Sequence, residues 1–196
     1  MRKWVSLAMA ILLALSFYTV AFAAPEGTAT TSATITFKQG QLSFNGDPHA
    51  MDILFGEQVL PVDAVTYESV NANTFSIADA RYPAGDWDVY VKRTGEFAKD
   101  SSSKFQGVLT LVAGTVSHSG GAGIDVTGVH VTGNLVVGTG SALVVSADSN
   151  QKAGTFHINW AKKGITLDMN ATEAASVVVG SEYREILTWT LESTEP

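Results

Sequence analysis

The chain of 196 residues contains no cysteine. That excludes disulfides, thiolate nucleophiles and Cys-ligated metals. A domain of this length can bury enough surface to fold without cross-links, even outside the cell. Charge is sparse, and its balance is acidic, with 12 basic against 19 acidic residues. Such a surplus argues against nucleic acid and against anionic membrane as partners. Long apolar runs are missing after the first two dozen residues, so no second transmembrane segment is expected. Sustained helical periodicity is lacking as well.

What is present begins with a leader. Arg2-Lys3 precedes the apolar run VSLAMAILLALSFYTVAF, which ends in Ala21-Phe22-Ala23. A basic head, an apolar body and a small-x-small exit form the pattern of a secretory signal peptide. Residues 1–23 are read as that leader and 24–196 as one mature domain. Loss of Arg2 and Lys3 leaves 10 basic against 19 acidic residues, a net charge of −9. The chain closes on Glu192-Ser-Thr-Glu-Pro196 rather than an apolar tail with a basic stop. The expectation is a secreted protein with no membrane insertion after cleavage, attached to the cell non-covalently.

Short alternating stretches dominate the rest. Candidate strands are Thr34–Phe37, Gln41–Phe44, Val65–Tyr67, Asn73–Ile77, Trp87–Val91, Gly107–Val112 and Asn134–Val137. Leu143–Ser146, Phe156–Trp160, Ile165–Met169, Ser176–Val179 and Tyr183–Leu191 continue the series. Turn signals such as Asn45-Gly46-Asp47-Pro48 and Lys163-Gly164 separate them. This is an all-β pattern: a single sandwich or barrel-like domain of short, mostly antiparallel strands. The glycine-dense stretch 118–133 reads either as an extended loop or as short, loosely specified strands.

Chemistry-bearing groups do not assemble into a catalytic set. Asp47, His49 and Asp52 are close in sequence, but their spacing matches no strong ligand motif and reads as a solvated turn. His118, His130 and His157 are scattered. There is no G-x-S-x-G elbow. The glycines at 121–123 lack the Lys-Ser/Thr of a phosphate loop. Paired acids such as Asp79 with Asp86 or Asp88 bring no further sign of glycosidase chemistry. The reading is a non-enzyme with no cofactor and no metal.

Three tryptophans lie beyond the leader, each in an alternating stretch. Trp87, Val89 and Val91 share one strand face, as do Phe156, Ile158 and Trp160. Tyr183, Glu185, Leu187, Trp189 and Leu191 share another. Apolar companions on each face favour a core role; an exposed platform for sugar rings is the alternative. Asp79 and Arg81 are two residues apart on one side of an extended segment. They form either a carboxylate–guanidinium pair or a solvated pair worth little.

The end of the chain, YREILTWTLESTEP, resembles the C-terminal signature of the WxL domain of Gram-positive surface proteins. Tyr183, Leu187, Thr188, Trp189, Leu191 and Pro196 carry the match. An earlier motif of that family is similar to DARYPAGDWDVYV, through Asp79, Arg81 and Trp87. Val89 stands where the family has Leu, and Tyr82, Ala84 and Asp86 interrupt its glycines. The resemblance spans about residues 28–196. It implies a wall-associated module on the cell surface, bound to peptidoglycan or another wall polymer, often beside larger membrane-anchored surface proteins. A structural or protein-interaction subunit of an adhesin-like complex is the alternative.

Overall fold

The computed structural model describes residues 34–36, 38, 40–46, 51–82, 84–120, 125–148 and 153–193. The chain divides into Met1–Phe37 and Lys38–Pro196. Of the first unit only Thr34–Thr36 are described, exposed and outside any helix or strand. The strand expected there does not form over those three residues. The leader, Phe37, and Asp47 and His49 of the candidate turn lie outside the described residues.

The second unit is built from short strands. In chain order they are β1 (Leu42–Phe44), β2 (Val65–Glu68), β3 (Asn73–Asp79), β4 (Trp87–Arg93), β5 (Phe97–Ala98), β6 (Lys104–Phe105) and β7 (Val108–Leu111). There follow β8 (Thr115–His118), β9 (Val129–Val131), β10 (Leu135–Val137), β11 (Ala142–Ala147), β12 (Gly154–Trp160) and β13 (Ile165–Met169). The helical turn α1 (Ala171–Ala174) precedes the last strand, β14 (Leu187–Ser193). All pairings are antiparallel. They give a first sheet β1-β3-β12-β8, a second β10-β7-β13-β2, a third β14-β4-β11-β9, and the small ribbon β5-β6. Each sheet has two ends, so the all-β arrangement is sandwich-like and not a closed barrel.

Alternation explains the layering. In β3, Asn73, Phe75, Ile77 and Asp79 are buried while Thr74, Ser76 and Ala78 are more open. Strand β12 buries Phe156, Ile158 and Trp160, and β4 buries Trp87, Val89 and Val91. These residues meet Leu109, Leu111 and Ile165 of the second sheet in one continuous core. Ring pairs span the first and third sheets: Trp87 with Phe156 at 5.8 Å and Phe75 with Trp189 at 5.1 Å. A smaller cluster around Phe105, Leu167, Met169 and Ala174 lies beside it.

Three departures from the sequence reading have physical causes. Ser176–Val179 is not a strand, because Asn170 opens α1 just upstream. Its side chain accepts from the Glu173 N–H while the Glu173 carboxylate accepts from the Asn170 N–H. The final strand starts at Leu187 rather than Tyr183; before it, Arg184 makes only an isolated bridge to Ala98. In β11 a register shift between Leu143 and Val145 turns both Val144 and Val145 inward, which breaks the period of two. Of the two readings of the glycine-dense stretch, a short strand is found: it contributes β9, paired with β11, while residues 121–124 lie outside the described set.

Replacing Trp160, fully buried, by Ala is expected to destabilise the protein by about 3–5 kcal/mol. Half-buried Trp189→Ala is expected to cost about half as much, because less surface leaves water in folding. Urea unfolding of both variants checks the order; equal losses would contradict the burial difference.

Candidate functional site

The two tryptophan motifs, a hundred residues apart in sequence, form neighbouring strands. Strand β14 pairs along its whole length with β4, setting Trp189 opposite Val91, Leu191 opposite Val89 and Ser193 opposite Trp87. Inward side chains on both strands are apolar except at the ladder's ends, where Arg93 and Ser193 take the inward phase. Trp87 and Val89 are 0% exposed. Leu187, Trp189 and Leu191 are half-buried against the same core, and Thr188 faces out. Trp189 packs against Phe75 and lies 6.3 Å from Trp160. Tyr183 sits outside the ladder, its ring 5.4 Å from Phe105 and its hydroxyl accepting from the Val178 N–H at 2.9 Å.

Buried ion pairs close both ends of this ladder. At one end Asp79 and Arg81 are 1% and 8% exposed. Arg81 Nε and Nη2 donate to the two oxygens of Asp79, each at 2.9 Å. Arg81 also donates to the Gly85 carbonyl at 2.6 Å and to Ser193 Oγ at 2.8 Å. The solvated-pair alternative is thereby overturned: the pair is dry, forked and tied to three segments. At the other end Arg93 Nε donates to Glu185 Oε1 at 2.9 Å, with Nη2 2.7 Å from Oε2. Arg93 further holds the carbonyls of Gly95, Gln106 and Gly107 and lies over the Phe97 ring. The Gly95 N–H donates to Glu185 at 2.7 Å.

Sequence reasoning missed Arg93 and did not single out Glu185. A signal existed, because Glu185 falls on the inward phase of the Tyr183–Leu191 alternation. An acid on an apolar face needs a cation, and Arg93 ends the neighbouring strand. Asp86 does not join the nearby acids in a ligand set. Among the described residues no group of three His, Asp or Glu is placed to hold a metal ion. None of their helices is long and apolar enough to cross a membrane.

The family comparison says what kind of protein this geometry belongs to. Residues 25–195 match the model described as "WxL domain surface cell wall-binding". The chain belongs to the WxL domain family. It is a non-catalytic surface module associated with the bacterial cell wall, in a Gram-positive setting. No curated protein matches this WxL domain. Among solved structures it is similar to a chain from a chaperone–usher pilus, at 9% identity and a TM-score of 0.41. That alignment covers 87% of the WxL chain and 98% of the pilus chain.

Cutting either buried pair on one side strands the other charge. Glu185→Ala and Arg81→Ala are each expected to lower stability by about 3–5 kcal/mol. Arg81→Lys is expected to recover little, since an ammonium cannot reproduce the fork onto Asp79 and Gly85. Denaturant titration checks all three; a loss below about 1 kcal/mol, the surface-pair range, would contradict the burial argument.

Proposed function

We propose that the protein is exported by its leader, residues 1–23, and that 24–196 then serves as a wall module held non-covalently on peptidoglycan. The carrying observation is the family match over residues 25–195, which takes in every described strand. The motif geometry supports a particular form of this reading. Trp87 has no exposed face to offer a sugar ring, and Trp189 is packed among Phe75 and Trp160. Asp79, Arg81, Trp87, Val89, Tyr183, Leu187, Trp189 and Leu191 then act by building the module, and contact with the polymer falls to outer surfaces. Retention of the purified protein on salt-washed peptidoglycan sacculi, read by co-sedimentation, is the expected result. Its absence would sink the peptidoglycan reading.

A second reading, docking of a partner surface protein, is favoured by one observation about strand ends. The strands that end the three larger sheets have three or four residues, except β14, which has seven. Its stretch Leu187–Ser193 carries no Pro or Lys, the usual guards of an open edge, and its one charge, Glu192, lies near its end. The Thr94 N–H donates to the Ile186 carbonyl, which sets the phase of the ladder. By that phase the backbone groups of Leu187, Trp189 and Leu191 point away from β4. Among the described residues no other strand pairs there. An extended segment of a partner could add to this edge. In the isolated protein the Trp189 and Leu191 amides are expected to exchange with deuterium much faster than those of Thr188 and Thr190. Equal protection would mean the edge is already filled.

A further inference from the structure

The outward faces of the three four-stranded sheets differ in charge. The third carries Asp88, Lys92 and Glu192. There the Tyr90 hydroxyl donates to Asp88 at 3.2 Å, and the nearby Asp88 carboxylate raises the phenol above its ordinary pKa. The second sheet presents Glu68 and Asp168. The outward positions of the first sheet are Ser, Thr, Asn, His and Ala throughout, with no Asp, Glu, Lys or Arg.

On that first sheet the polar side chains bind one another across the strands. Thr74 Oγ1 donates to Asn159 Oδ1 at 2.9 Å, and Asn159 Nδ2 reaches Ser117 Oγ at 3.4 Å. Ser76 Oγ and His157 Nδ1 share a hydrogen bond of 2.6 Å. The ladder places Ser76 opposite His157 and His157 opposite Ser117. The result is a grid of hydroxyl, amide and imidazole groups, free of Asp, Glu, Lys and Arg, with its side chains already positioned.

We propose that this face is the docking surface for the glycan strand of the wall polymer, a neutral chain of hydroxyl and acetamido groups. The proposal rests on the wall-binding reading above and names the partner chemistry. Hydroxyls and amides both donate and accept, as sugar hydroxyls and acetamido groups do. A charged ligand, whether peptide stem or anionic polymer, would find no counter-charge on this face and would lose hydration without repayment. Side chains fixed by mutual hydrogen bonds lose little entropy when a ligand arrives. Neighbouring strands repeat every ~4.8 Å, so a long polymer meets equivalent groups in several registers. Weak contacts then sum along one chain.

The test uses intact sacculi and glycan strands freed of stem peptides by an amidase, with the lactyl carboxylates so exposed capped as methylamides to keep the strand neutral. Thr74 and Ser117 are exposed, so bulky replacements there should leave the core intact. Thr74→Arg with Ser117→Arg, and Thr74→Glu with Ser117→Glu, cover the face with opposite charges. The wild type is expected to bind both preparations. Both double variants are expected to weaken by roughly tenfold or more, a loss of one decade in Kd. Val108→Arg with Val136→Arg, on the second sheet, is expected to bind as the wild type does. Urea midpoints confirm the fold, and the single Ser117→Arg replaces any double variant whose midpoint falls. Binding to sacculi but not to freed glycan overturns the proposal and leaves the wall-binding reading standing. So does undiminished binding of the double variants, or loss with only one sign of charge. No retention of the wild type on sacculi overturns both.

Discussion

Two buried guanidinium groups hold the domain's parts in register. Among the described residues, strand β14 ends its sheet with β4 as its one neighbour, and its inner face is only half covered. Apolar contact alone would leave such a strand prone to fray. Arg81 and Arg93 act at opposite ends of the β4–β14 ladder. Arg81 lies just beyond β3 of the first sheet and grips Asp79, the turn before β4, and Ser193 at the end of β14. Arg93 ends β4 and grips Glu185 ahead of β14, together with the Gln106 and Gly107 carbonyls leading into β7 of the second sheet. The two clamps therefore touch all three larger sheets. Desolvating an arginine is costly, and here nearly every donor direction is met by a carboxylate, carbonyl or hydroxyl. The gain over an apolar replacement is one of register: a fork fits only one arrangement of its acceptors.

The W-x-L stretch takes on a specific structural meaning in that frame. Trp189 and Leu191 are inward residues of an edge strand, and their side chains supply the overlap that the missing second neighbour would otherwise give. Trp87, on the central neighbour, is sealed against Phe156. The motif pair is thus one unit of packing, and the sequence distance between its halves is spanned by the strands that form the rest of the core. The departure at Val89 is consistent with this. The position is fully buried and opposite Leu191, so Val in place of Leu changes packing volume by one methylene and alters no exposed chemistry.

Alternation made much of the fold legible. Strands such as β3, β4 and β12, each with one face in the core and one toward solvent, announce themselves by period two. Where the period fails, local geometry has intervened. The β11 bulge puts Val144 and Val145 on the same side, and no pattern of twos could foresee it. Strand β9 has three residues amid glycines and turns, too few to show a period. The α1 turn was readable from Asn170 and Glu173 as a cap, although four residues show no helical stripe. In the candidate site, Asp79 with Arg81 could be read as a pair because the partners are near in sequence. Glu185 was readable as an acid that needs a cation, but not Arg93 as its partner, because 92 residues and a strand pairing separate them. Whether a pair is dry or solvated depends on what packs over it, and sequence spacing carries no information on that.

An acidic protein associating with a wall that itself bears acid groups poses an electrostatic problem, and the distribution of charge among the faces bears on it. At physiological ionic strength the Debye length is about 8 Å. Face-to-face sheets stand about 10 Å apart, so carboxylates on the far side of a two-layer sandwich are largely screened from a polymer lying on the near side. Asp88 and Glu192 occupy the outward face of the third sheet, whose inner residues pack against the first. In the proposed docking, Asp88 and Glu192 there, and Glu68 and Asp168 on the second sheet, stay out of contact distance of the polymer. The neutral first sheet is then the approach with the least like-charge repulsion. An even spread of the same net charge would have offered no such side. Under the proposed docking, the asymmetry among sheet faces, rather than the net charge, reconciles an acidic chain with wall association.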